Sequence, residues 1–184
     1  MTALKQFDLV DHKQTLFVFG GSQGSAAINR CISKMIDNLK DVQIIWQTGM
    51  NEFEQLKHYE TNSVRVRPFI DDMKSAYAAA DLALTRAGAM TIAELTACGL
   101  PGILIPLPSS ADDHQTHNAT AMDKRGAAKM IPETEMSPVN LSVTLNQLLN
   151  DEHTLNQMSE NSSALGKPNA VSVIADHILE RISA

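Results

Sequence analysis

Short apolar runs alternate with amphipathic stretches along nearly the whole chain. Thr15–Phe19 is an apolar run that ends in glycines, and a helical pattern over 26–39 follows it. Residues 42–46 read as a second strand closed by Thr48-Gly49, 52–58 as a short polar helix, and 64–66 as a third strand ending at Pro68. The pattern continues as helix Met73–Ala79, strand Leu82–Thr85 and helix Ala89–Cys98, with Gly99 and Pro101 just past the helix end. Strand 103–106, helix 115–124 and a candidate sixth strand at 128–131 come next, then helical stretches near 138–150, 154–165 and 168–182. Runs of four or five apolar residues between amphipathic helices suit a parallel sheet covered on both faces, whose strands are buried on both sides. The expected fold class is α/β, a Rossmann-like doubly wound parallel sheet, with residues 1–184 as one domain.

Composition narrows the partners. Hydrophobic residues make up 43% and charged residues 20%, as in ordinary soluble proteins. The 15 Lys and Arg against 21 Asp and Glu give a formal charge of −6, with no basic run. That argues against nucleic acid, whose phosphates need clustered cations. No apolar run approaches the ~20 residues of a membrane-crossing helix, and no signal peptide precedes Lys5. Cys31 and Cys98 lack metal-type spacing and read as small buried hydrophobes of a reducing compartment, so a cytoplasmic protein is expected.

In a doubly wound sheet ligands bind at the carboxyl ends of the strands, where loops lead into helices. Four such loops carry unusual residues. Gly20-Gly21-Ser22-Gln23-Gly24-Ser25 lets the backbone approach a ligand before a helix N-terminus, which suits a phosphate; a tight turn without ligand is the alternative. The loop is neither a Walker loop nor a Gly-x-Gly-x-x-Gly fingerprint. Arg67-Pro68-Phe69-Ile70-Asp71-Asp72 offers an exposed aromatic to stack on a base and Ile70 backbone groups to read its edge, or simply packing and a helix cap.

Arg86-Ala87-Gly88-Ala89-Met90-Thr91-Ile92-Ala93-Glu94 brings a second helix N-terminus toward the first. Thr91 suits a phosphate and Glu94 the hydroxyls of a ribose, unless Glu94 is only a solvated surface charge. Arg86 fits a diphosphate or a neighbouring carboxylate. The loop after Pro106 carries Asp112, Asp113, His114, Gln115, His117 and Asn118. Gln115 and Asn118 share a helix face and offer the donors and acceptors that sugar hydroxyls demand. A metal cluster of the two aspartates and two histidines is the competing reading.

Together these loops resemble the C-terminal domain of the bacterial peptidoglycan N-acetylglucosaminyltransferase (MurG) family. The matching segments are Gly20-Gly21-Ser22-Gln23-Gly24, Gln47-Thr48-Gly49, Pro68-Phe69-Ile70-Asp71-Asp72-Met73, Ala80-Asp81, Arg86-Ala87-Gly88-Ala89, Glu94-Leu95, Pro106-Leu107-Pro108 and Asp113-His114-Gln115-x-x-Asn118-Ala119. The resemblance implies one half of a GT-B glycosyltransferase that holds UDP-GlcNAc for transfer, with inversion, to undecaprenyl-diphospho-MurNAc-pentapeptide in cell-wall synthesis.

It implies Gly20, Gly21, Gly24 and Ser22 at the diphosphate, Phe69 against uracil and Ile70 on the uracil edge. It also implies Ala89, Met90 and Thr91 at the phosphates, Glu94 on the ribose, Gln115 with Asn118 on the sugar, and Ile92 and Ala93 among the substrate-binding residues. No catalytic base, no metal ligand and no obligatory cofactor is expected in this half; His114 is the only nearby candidate base. The acceptor site, the lipid-linked acceptor and the docking at the cytoplasmic face of the inner membrane belong to an N-terminal domain that is expected to be missing. A separate donor subunit or a non-catalytic UDP-sugar-binding module are the alternatives. The last helix has an apolar stripe at Val171, Ile174, Ala175, Ile178, Leu179 and Ile182, whose period predicts a core-facing helix. The resemblance offers the other role, a crossover helix.

Overall fold

The computed structural model describes residues 2–39 and 41–182. Six parallel strands form one sheet in the order β3-β2-β1-β4-β5-β6. They are β1 (Thr15–Phe19), β2 (Gln43–Gln47), β3 (Val64–Arg67), β4 (Leu82–Thr85), β5 (Gly102–Leu104) and β6 (Ala128–Met130). The helices are α1 (Ala3–Gln6), α2 (Ala26–Met35), α3 (Met50–Leu56), α4 (Met73–Ala79), α5 (Ala89–Cys98), α6 (His114–Lys124), α7 (Pro138–Leu149), α8 (Glu152–Leu165) and α9 (Ala170–Ile182). The doubly wound α/β expectation holds, and the strand order reverses between β1 and β4.

The strand residues divide between two cores by alternation. Leu16, Val18, Ile44, Trp46, Leu82 and Leu84 point to the face covered by α2, α3 and α7. Phe17, Phe19, Ile45, Ala83 and Leu104 point to the face covered by α1, α4, α5 and α6. Strands buried on both faces explain the near-continuous apolar runs. Each large side chain fully buried there contributes about 1.5–3 kcal/mol from area alone. Trp46 is buried with its indole N–H donating to Asn29 Oδ1 at 2.9 Å, so the largest core side chain leaves no orphaned donor.

Several expectations need correction. The second strand begins at Gln43 and extends through Gln47, because both glutamines are buried and hydrogen-bonded, which an apolar-run reading misses. Gln43, for instance, accepts from Val10 N–H and donates to Val10 O, both at 2.8 Å. The fifth strand is Gly102–Leu104 rather than 103–106. Helix α1 was not expected, since four residues are too few to show a period. Cys31 is buried, but Cys98 is exposed; small residues all round α5 conceal which side faces water.

The largest correction concerns α9. Its apolar stripe is present, yet none of its residues is buried, and Val171, Ile174 and Ile182 are 81%, 59% and 77% exposed. The core-facing prediction fails because neither core takes a residue from α9. Among the described residues no helix is long and apolar enough to cross a membrane.

Candidate nucleotide-binding site

Register sets the level of the site. Phe19 lies opposite both Gln47 and Thr85, and Gln47 lies opposite Arg67, so the loops that follow leave the sheet side by side. The loops after β1 and β4 flank the switch point, where a parallel sheet opens a crevice. They enclose a cavity of about 470 Å³ lined by Gly20, Gly21, Gly24, Gly88, Thr91 and Gln115, among others.

The glycine loop is held by a second glycine segment. Gly24 has φ +76°, and a Cβ there would lie 2.0 Å from Thr48 O. Gly49 has φ +83°, and its Cβ would lie 2.1 Å from Gln23 O. Two backbones therefore pass in direct contact, which only glycine at both crossings permits. Beneath them Asn29 Nδ2 donates to Thr48 O at 2.8 Å and to Glu52 Oε2 at 2.6 Å.

Gln47 joins this loop to the next. Its buried amide donates from Nε2 to Gly21 O at 3.0 Å and accepts the Ile70 N–H on Oε1 at 2.8 Å. The Ile70 N–H is thus already engaged, and its carbonyl remains as the backbone group for a base edge. Phe69 beside it is 45% exposed, while Ile70 is 5% exposed. Asp72 caps α4 by accepting the Ser75 N–H at 3.1 Å.

Two helix N-termini face the cavity. Neither α2 nor α5 carries an acidic residue in its first turn, so their positive ends are uncompensated. α2 is capped by Ser25 Oγ, which accepts from Ile28 N–H at 3.4 Å; α5 begins at Gly88 with no side-chain cap. Its first N–H groups have no intrahelical partner. Arg86, 9% exposed, donates to Ser25 Oγ at 2.8 Å and pairs with Glu133 Oε2 at 2.5 Å. Of the two roles open to Arg86, the structure gives the carboxylate partner. Its charge is largely offset there, and Arg30 supplies a further cation to the cavity wall.

The expected sugar-side residues first serve the protein. Gln115 Oε1 accepts from Ala87 N–H at 3.2 Å and from Leu107 N–H at 3.0 Å. Asn118 Nδ2 donates to Ala87 O at 3.0 Å. The two amides clamp the Ala87 peptide, which leaves Gln115 Nε2 and Asn118 Oδ1 for a ligand. Two consecutive aspartates with left-handed backbone, Asp112 (φ 47°) and Asp113 (φ 53°), make the sharp entry to α6.

Among the described residues no three His, Cys, Asp or Glu are grouped to hold an ion. Asp113 Oδ1 instead accepts from Thr116 Oγ at 2.6 Å, and His114 Nδ1 lies 2.6 Å from Ala111 O.

The remaining predicted residues separate. Ser22 is exposed and does not line the cavity, and Met90 is 73% exposed. Ala89, Ile92, Ala93 and Asn118 line a neighbouring groove of about 570 Å³ between α5 and α6. None of these four lines the cavity around Gly20; on α5, Ala89, Ile92 and Ala93 lie on another face from Thr91. Glu94 is half-buried and accepts the Tyr77 phenol O–H on Oε2 at 2.7 Å. Sequence reasoning missed Gln47 as a tie, Ser25, Arg30, Tyr77 and Glu133. Only Ser25, just ahead of a helical run, carried a signal, that of an N-cap.

A parallel sheet with two glycine-led helix N-termini meeting at its switch point defines a Rossmann-like domain. Residues 15–177 match the model of the glycosyltransferase family 28 C-terminal domain, and the chain belongs to that family. It is 38% identical over 183 residues to the UDP-N-acetylglucosamine--N-acetylmuramyl-(pentapeptide) pyrophosphoryl-undecaprenol N-acetylglucosamine transferase of Finegoldia magna, covering 96% of this chain and 50% of that protein. The protein of the same name from Trichlorobacter lovleyi is 41% identical over 175 residues, covering 91% of this chain and 46% of that one. The crystal structure of Acinetobacter baumannii MurG superposes with a TM-score of 0.83 at 30% identity, over 98% of this chain and 53% of that one. The chain spans about half the length of the curated relatives it matches. Its fold is that of one half of a GT-B glycosyltransferase.

Proposed function

We propose that this chain binds UDP-GlcNAc as the donor half of an inverting N-acetylglucosaminyltransferase, whose acceptor is undecaprenyl-diphospho-MurNAc-pentapeptide. The observation that carries the reading is the meeting of two uncompensated helix N-termini across one cavity at the switch point. A diphosphate placed there gains N–H donors and two positive dipole ends. Those donors are strongest for the charge that grows on the leaving UDP when the acceptor hydroxyl attacks the anomeric carbon of GlcNAc.

In this reading Phe69 stacks on uracil, the Ile70 carbonyl meets its N3–H, Glu94 takes the ribose hydroxyls, and Gln115 Nε2 with Asn118 Oδ1 reaches the sugar. Proton removal from the acceptor belongs to a second, acceptor-binding unit, with which the assembled enzyme works at the cytoplasmic face of the membrane. The fixed N–H groups and Arg30 do the work of charge neutralisation, so donor affinity is expected to be equal with magnesium and with chelator.

Calorimetric titration with UDP-GlcNAc, UDP and ADP tests the reading. Both uridine compounds are expected to bind and ADP not to. A folded chain that binds none of them, or binds ADP equally, contradicts it.

A further inference from the structure

Tyr77 has no place in the donor site as described, yet its geometry is tightly determined. Its ring is buried on α4 and meets Phe17 and Phe19 edge-on, with centroids 5.6 and 5.9 Å away at 71° and 72°. That aromatic cluster fixes where the phenol oxygen lies. From there the O–H donates to Glu94 Oε2 at 2.7 Å. Burial first, and then the hydrogen bond to the Glu94 carboxylate, push the phenol up, so it remains a donor throughout the neutral range.

Glu94 is the only carboxylate on α5 and stands half-exposed on the helix surface. A glutamate so placed samples several rotamers, and holding it in one costs entropy when a ligand needs it. A buried phenol that engages one carboxylate oxygen removes that freedom in advance. We propose that Tyr77 is a positioning residue that fixes the Glu94 side chain, committing Oε2 to the protein and presenting Oε1 to the vicinal hydroxyls of the donor's ribose. Selection of a ribonucleotide over a deoxygenated one then depends on a residue that never touches the ligand. The inference rests on the donor-site reading above.

The test is calorimetric titration of wild type, Tyr77→Phe and Glu94→Gln with UDP and with 2′,3′-dideoxyuridine 5′-diphosphate, alongside thermal melting. Tyr77→Phe keeps the ring packing and removes only the hydroxyl. It is expected to weaken UDP roughly threefold to tenfold, as loss of one hydrogen bond does. The dideoxy compound, which has no hydroxyls for Glu94, is expected to bind the variant within about twofold of wild type. Equal weakening of both nucleotides overturns the inference, because a general loosening of the fold does not distinguish them. If Glu94→Gln weakens UDP and Tyr77→Phe does not, the inference alone falls. If wild type binds neither nucleotide, the donor-site reading falls and takes the inference with it.

Discussion

Replacement of Gln47 by methionine removes both hydrogen bonds of the amide while nearly preserving its length and volume. Gln47 is 2% exposed and spans the 3.0 Å bond to Gly21 O and the 2.8 Å bond from Ile70 N–H. Gly21 lies at the open cavity, where water can take over its carbonyl. Ile70 is 5% exposed, so its N–H stays unsatisfied, and such an orphan costs about 1–3 kcal/mol. With about 1 kcal/mol for the Gly21 bond, the expected loss is about 2–4 kcal/mol. That corresponds to a fall in Tm of roughly 4–16 °C for a chain of this size.

Denaturant and thermal unfolding read that loss, and an unchanged denaturant slope shows that the native state is otherwise intact. The same variant frees the loop after β1 from the loop after β3, so UDP is expected to bind roughly tenfold more weakly, about 1.4 kcal/mol. Gln47→Glu keeps the acceptor for Ile70 but points a carboxylate at Gly21 O, and it is expected to lose as much. Unchanged stability together with unchanged UDP affinity in Gln47→Met refutes this account of the two loops.

Gly24→Ala forces a Cβ to 2.0 Å from Thr48 O at φ +76°, and an expected loss of roughly 2–4 kcal/mol is measurable by denaturant unfolding. Asp151 caps α8 by accepting from Thr154 Oγ at 2.6 Å and from Thr154 N–H at 3.0 Å, and these bonds lower its pKa. Its contribution is therefore complete above the usual carboxylate value near ~3.9 and is lost as pH falls through the lowered one. The Tm advantage of wild type over Asp151→Asn is expected at neutral pH and should vanish in strong acid; a pH-independent gap contradicts the assignment. Truncation after Lys167 removes α9, which buries no residue, so the melting temperature should change by less than about 2 °C. A large drop would show that the helix is part of the core.

Much of the architecture was legible because the strands are buried on both faces. Leu16, Phe17, Val18 and Phe19 leave little room for another assignment, and the glycines after them mark where the chain must turn. The four loops were found by the sheet rule, before any pairing was known. Pairings between distant segments were not legible. Nothing in the local sequence ties Arg86 to Glu133, Tyr77 to Glu94, or Gln47 to Gly21 and Ile70. Polar side chains buried within strands, such as Gln43 and Gln47, break an apolar run and shift its apparent ends. The face of α5 was obscure because Ala, Thr and Cys give it little contrast, and so Cys98 was misplaced. The α9 stripe shows that an apolar period establishes a helix and a preferred face, but not what that face meets.

The central claim is that the backbone N–H groups at the starts of α2 and α5 hold the diphosphate of the donor. Amide chemical-shift mapping of the isotopically labelled chain during titration with UDP tests this residue by residue. The account predicts saturable shifts at Gly21 to Ala27 and at Gly88 to Thr91, with uridine, which lacks the phosphates, leaving both groups unmoved. Shifts confined to the groove of Ile92, Ala93, Ala121 and Met122, or no shifts in a folded chain, would contradict it.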